Sequence, residues 1–151
     1  MKYFELFNIE PKFLLTKSDI ENIENKFLDI QKFIFQKKSN FSEEFVNSAY
    51  QTIINEVKRL EYLIEVKGFD IYSFKINQNL AEYIFNLREN LEKITNHDEL
   101  FLELKKVKKE LDNVKILLNE ELMKENLIKQ NICDLFSRFK CLNEILKTYN
   151  K

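Results

Sequence analysis

The stretch from Phe45 to Gly68, FVNSAYQTIINEVKRLEYLIEVKG, does most to narrow what this chain can fold into. Phe45, Ala49, Ile53, Val57, Leu60 and Ile64 recur at steps of four, four, four, three and four. That repeat is one face of an α-helix and does not fit the alternation of a strand. Val46, Tyr50 and Ile54 widen the stripe. Ser42 occupies the N-cap position, and Glu43 and Glu44 fill the first turn, where carboxylates meet the positive end of the helix dipole. Gly68, the only glycine, stops the helix where a left-handed residue is least strained.

The rest of the chain argues for more long helices and against a β-rich fold. One Gly and one Pro in 151 residues leave little material for tight turns, so the fold class is all-α. Charged residues at 32% and apolar residues at 44% describe a globular chain. A net charge of −1 removes the main electrostatic reason for nucleic acid or an anionic membrane as partner. No apolar run approaches the roughly 20 residues of a membrane helix. The opening MKYFELFNIEP has neither a signal-peptide core nor transit-peptide character, which fits a bacterial cytoplasmic protein. Cys133 and Cys141 lie on one predicted helix, roughly 12 Å apart along its axis, too far for a disulfide, and are expected as reduced, partly buried thiols. With only His97 beside them there is no ligand set for a metal or cluster, and no cofactor is expected. No glycine-rich phosphate loop or Ser-His-Asp arrangement is present, so there is no candidate catalytic residue and an enzyme is not expected.

In chain order, Lys2 to Phe7 predicts a short amphipathic helix ended by Pro11. Ser18-Asp19-Ile20-Glu21 reads as a capping box for a helix with Ile20, Ile23, Phe27, Ile30 and Ile34 along one stripe. Its polar side carries Lys26 and Lys32, with Lys37 and Lys38 just beyond, and residues 36 to 42 connect it to the helix of the opening stretch. Gly68 to Ile76 reads as a linker. Leu80, Ile84, Leu87, Leu91 and Ile94 mark a fourth helix, which Thr95-Asn96-His97-Asp98 breaks. Leu100, Leu104, Val107, Leu111, Val114 and Leu118 mark a fifth, to about Met123. Leu127, Ile128, Leu135, Phe139, Leu142 and Leu146 mark the last, closing a three-helix bundle. Lys105-Lys106-Val107-Lys108-Lys109, flanked by Glu103 and Glu110, reads as a solvated helix face.

Three blocks carry a resemblance. Asn47, Ala49, Tyr50 and Thr52, then Glu61-Tyr62-Leu63, then Phe69-Asp70, are similar to the last J-domain helix of the HscB family, the J-type co-chaperones of iron-sulfur cluster assembly. Tyr3-Phe4-Glu5-Leu6-Phe7, Pro11 and Phe13 resemble the opening of that family, and Leu87-Arg88-Glu89-Asn90-Leu91-Glu92-Lys93-Ile94 resembles the "L-R-E-E-L-x-x-I" of its second domain. The resemblance implies a J-domain-like helical hairpin over residues 1–70, a linker at 71–76 and a scaffold-binding three-helix bundle over 77–151. It also implies two partners for a monomeric adaptor: a DnaK-type chaperone, HscA, and the iron-sulfur scaffold protein IscU.

Two departures matter. The family's His-Pro-Asp triplet, which acts with the basic second helix on the chaperone, aligns with Phe35-Gln36-Lys37, so chaperone contact would fall to Lys26, Lys32, Phe35, Gln36 and Lys37, and weakened ATPase stimulation is expected. A non-stimulating helical binding module derived from the same family is the alternative. Asn55-Glu56 stands where the family usually carries a helix-breaking Pro, so the third helix is expected to run uninterrupted to about Lys67. The scaffold-binding face, carried over by position, is Ala81, Glu82, Phe85, Asn86, Arg88 and Glu89, with Phe85 as apolar anchor.

Overall fold

The computed structural model describes residues 2–150, and among them every regular element is helical. In order these are α1 (Lys2–Leu6), α2 (Lys17–Phe35), α3 (Glu43–Ile54), α4 (Glu56–Val66), a 3-10 turn (Ile71–Ser73), α5 (Gln78–Lys93), α6 (His97–Leu122) and α7 (Lys129–Tyr149). The chain divides into two compact units between Ile71 and Tyr72.

In the first unit α1, α2 and α4 gather around α3 and bury Phe4, Phe7, Phe13, Ile23, Val46, Ala49, Ile53, Leu60, Leu63 and Ile64. Ser42 caps α3 by accepting from the Phe45 amide at 3.1 Å, where the sequence places the cap. Three helix ends in this unit close in the same way. After α1, Asn8 takes φ 56°; after α2, Lys37 takes φ 59°; after α4, Gly68 takes φ 100°. In each case the left-handed residue's amide bonds back to the carbonyl three before it (Glu5, Ile34, Glu65), and the next amide bonds to the carbonyl five before it (Phe4, Phe33, Ile64). That is a Schellman closure, which satisfies carbonyls a helix end would otherwise leave open. Asn8 therefore ends α1, and Pro11 lies beyond the stop.

Two further expectations are corrected. The capping box of α2 is Thr16 with Asp19: the Asp19 amide donates to Thr16 Oγ1 at 3.0 Å, and the Thr16 amide donates to Asp19 Oδ2 at 2.9 Å, so the helix starts two residues before the Ser18 reading. The third helix also does not run through to Lys67. It breaks at Asn55, which is extended (φ −86°, ψ 125°) and caps α4 by accepting from the Lys58 amide at 2.9 Å. Asn competes with the helical backbone for hydrogen bonds, and here its side chain supplies the cap that a Pro cannot. Arg59, one turn into α4, is buried and donates to the Ile53 carbonyl at 2.8 Å and the Phe13 carbonyl at 2.7 Å. Burial pulls its pKa down, and the charge of Glu56 opposes that. The break is thus capped on one side and satisfied on the other.

In the second unit α6 and α7 share the most extensive helix packing, and α5 rests on α7. The core is a ladder of Leu80, Ile84, Leu91, Val107, Leu111, Val114, Leu118, Leu122, Ile132, Phe136, Phe139, Leu142 and Ile145. Asn77 caps α5 and Asn96 caps α6, the latter accepting from the amides of Asp98 and Glu99 at 2.8 and 3.1 Å. Both cysteines are free thiols, Cys133 buried and Cys141 half-buried. Burial pushes the Cys141 thiol up, with Arg88 opposing.

Candidate functional site

The aromatic motif residues Tyr3, Phe4, Phe13, Tyr50 and Tyr62 lie in the packing of the first unit. Tyr62 stacks on Tyr3 with ring centroids 4.7 Å apart and accepts from the Tyr3 amide at 3.2 Å, while Tyr50 stacks on Phe27 at 4.0 Å. Phe13 is fully buried, with the Arg59 guanidinium 5.8 Å from its ring. These residues make the fold, so the candidate contact surface must be sought on the exposed side of α2.

There Lys26, Lys32, Phe35, Gln36 and Lys37 are all exposed, yet they do not form one patch. At 3.6 residues per turn, Lys26 shares a face with Phe33, whereas Lys32 lies about a third of a turn away beside Leu28 and Phe35. Phe35 is the last helical residue and is 89% exposed, Gln36 is the C-cap, and Lys37 is the left-handed stop. The three positions aligned with the triplet are therefore a helix terminus. Among the described residues, Lys26, Lys32, Lys37 and Lys38 make no ion pair, and the last two follow the negative end of α2. The Lys26 face opens onto a groove of about 470 Å³ whose apolar floor includes Leu6, Ile30, Phe33 and Phe41 and whose rim mixes Lys26 and Lys38 with Glu5 and Asp29. The sequence reading missed this groove. Phe33, seven residues after Lys26, was its one available sign.

In the second unit Ala81, Glu82, Phe85, Asn86, Arg88 and Glu89 are all exposed. They occupy about 160° of the α5 circumference opposite Leu80, Ile84 and Leu91, so the helix brings all six onto one outward arc. Phe85 is 65% exposed at its centre, and four of the six, with Gln78, line a shallow depression. On the flank of the arc, Tyr83 donates to Glu110 of α6 at 2.6 Å and Arg138 of α7 donates to the same carboxylate at 3.0 Å. The sequence reading did not single out this group, because its members are 27 and 28 residues apart. The basic run of α6 is a solvated face: Lys106 pairs with Glu103, Lys108 pairs with Asp112, and Lys105 lies over the Phe101 ring. No group of three or more metal-ligating side chains occurs among the described residues, and none of the described helices is long and apolar enough to cross a membrane.

The succession of a helical hairpin crossed by a short helix and a three-helix bundle has counterparts among solved structures. The chain matches the crystal structure of human co-chaperone protein HscB with a TM-score of 0.76 over 97% of its length and 79% of that chain, at 16% identity. It matches the HscB chaperone of Vibrio cholerae with a TM-score of 0.73 over 98% of its length and 94% of that chain, at 24% identity. In sequence it is 28% identical over 114 residues to the co-chaperone protein HscB homolog of Shewanella pealeana. That alignment covers 66% of this chain and spans 63% of the relative's own length. No family model matches the chain. The sequence relative and both solved structures are HscB proteins, and this chain shares the fold of the two structures.

Proposed function

We propose that the protein is an HscB-like co-chaperone of iron-sulfur cluster assembly, a monomeric adaptor of the bacterial cytoplasm with no chemistry of its own. Its α5 arc holds an IscU-type scaffold, and its first unit meets a DnaK-type chaperone of the HscA kind through Lys26, Lys32 and the Phe35-Gln36-Lys37 terminus. The observation that carries the reading is the α5 arc: six positions aligned by the family pattern fall on one exposed surface with Phe85 at its centre and the charges of Glu82, Arg88 and Glu89 around it. An apolar anchor within a charged rim is the usual anatomy of a protein contact.

A second reading has its own support. Phe35 cannot accept or donate a hydrogen bond, and Lys37 places a cation where the family has a carboxylate to pair with an Arg of the chaperone. Both lie within the Schellman closure that ends α2. These features favour a module that binds the scaffold and leaves the ATPase unstimulated.

Single-turnover ATP hydrolysis by the chaperone, with scaffold present, tests both. The native chain is compared with one carrying Phe35→His, Gln36→Pro and Lys37→Asp together. The expected result is weak acceleration by the native chain and strong acceleration by the restored one. Equal acceleration by both would show that the altered terminus is a working contact. No acceleration and no scaffold binding by either would remove the co-chaperone reading altogether.

A further inference from the structure

The helix that carries the candidate scaffold arc is the least anchored of its unit. Its helix packing is against α7, and that contact is far less extensive than the one between α6 and α7. The hydrophobic contribution of an apolar stripe is non-directional, so it defines the roll of a helix about its own axis less sharply than a hydrogen bond or ion pair does. A directional contact on the flank does restrict roll.

The group on the α5 flank has that geometry. The Tyr83 hydroxyl donates to Glu110 Oε2 at 2.6 Å, Arg138 Nη1 donates to Glu110 Oε1 at 3.0 Å, and the Arg138 guanidinium lies 5.6 Å from the centre of the Tyr83 ring. One carboxylate thus uses both oxygens to join three helices, and the cation closes the triangle over the aromatic face. Burial, with the adjoining Glu110 carboxylate, pushes the Tyr83 hydroxyl up to about 12, so it stays a donor throughout the range in which the protein would work.

We infer that Tyr83, Glu110 and Arg138 form a positioning clamp that sets the roll of α5 and thereby the presentation of Ala81, Glu82, Phe85, Asn86, Arg88 and Glu89. The use of that arc by a scaffold rests on the function proposed above; the clamp itself does not. None of the three clamp residues is on the arc, so they act through α5.

The test uses the full chain and two readouts. Amide residual dipolar couplings report the orientation of α5 against α6 and α7, and titration with purified IscU-type scaffold protein reports affinity. Tyr83→Phe removes only the hydroxyl and keeps the ring beneath Arg138; Glu110→Ala removes the hub; Glu110→Gln keeps an acceptor. Tyr83→Phe and Glu110→Ala are expected to change the α5 couplings while α6 and α7 still fit as one body, and to weaken scaffold binding by about 3- to 10-fold, as the loss of one net hydrogen bond allows. Glu110→Gln is expected to stay closer to the native chain in both. Unchanged α5 couplings in both Tyr83→Phe and Glu110→Ala would overturn the clamp whatever the titration gives. Changed couplings with unchanged affinity would overturn its role in presenting the arc. Changed couplings with no scaffold binding even by the native chain would leave the clamp standing and remove the assignment of the arc.

Discussion

In the unit that ends at Ile71, helices of 5 to 19 residues are fixed by individual contacts: the Tyr3–Tyr62 and Phe27–Tyr50 stacks, the two carbonyls held by Arg59, and three Schellman closures. From Tyr72 onward, helices of 16 to 26 residues rest on a repeating ladder of Leu, Ile, Val and Phe. A short helix is marginal alone and needs particular partners to hold it, whereas a long amphipathic helix spreads its stabilisation over many equivalent positions. The first kind of unit ties identity to place. The second needs only an apolar residue of about the right size at each rung.

The largest effect that would test this contrast is Phe139→Ala. Phe139 is fully buried in α7, and its loss should destabilise the second unit by about 3–5 kcal/mol through lost transfer energy and a residual cavity. The chain has no Trp, so the check is amide hydrogen exchange followed by NMR. Faster exchange is expected throughout α6 and α7 with little change in α2 to α4. Equal loosening in both units would mean that they unfold as one, and the contrast would lose its meaning.

Next is Arg59→Ala, expected to destabilise the first unit by about 2–4 kcal/mol. It removes the buried donors to the Phe13 and Ile53 carbonyls, each such loss costing about 1–3 kcal/mol, and the guanidinium beside the Phe13 ring. Urea unfolding followed by circular dichroism, with exchange to assign the unit, measures it. A loss below about 1 kcal/mol would show that the carbonyls find water and that the contact is dispensable.

The same contrast explains what the sequence made legible. Helix class and the Ser42 and Gly68 boundaries could be read from periodicity and capping chemistry, because those are local properties. Two of the three blocks that carry the resemblance lie between Tyr3 and Asp70, where Tyr3, Tyr50 and Tyr62 make specific ring contacts. The break at Asn55 was not legible, since half of its explanation is the donation of Arg59 to the Ile53 carbonyl, and the same guanidinium also holds the Phe13 carbonyl 46 residues away. The candidate sites divide in the same way. The resemblance supplied the six α5 positions and helical spacing puts them on one face, whereas the Tyr83–Glu110–Arg138 group required helix placement.

Asn55→Ala sharpens the account of that break. Loss of the cap should cost about 1 kcal/mol, yet the break should persist because Arg59 still occupies the Ile53 carbonyl. Carbon chemical shifts at Ile54, residue 55 and Glu56 report this directly. Helical shifts across all three would show that the Asn55 side chain alone interrupts an otherwise continuous helix.

The smallest effect concerns a surface contact in the first unit, and its pH dependence has a definite sign. Asp19 accepts from Lys12 at 2.8 Å and from the Thr16 amide, and these bonds, the Lys12 one foremost, hold its carboxyl at about 2 against an ordinary 3.8. A carboxyl depressed in the folded state favours folding where it is ionised in both states, above about 4, and that contribution is lost as the pH falls toward 2. Asp19→Asn should therefore lower Tm slightly at neutral pH, by what a partly exposed pair and one cap bond supply, and the gap from the native chain should close between about pH 4 and pH 2. A gap that stayed constant over that range would mean that the amide fails by geometry and that the Lys12 charge contributes nothing. In that case even the surface of the first unit would be held by directional bonds, with no appreciable share from charge.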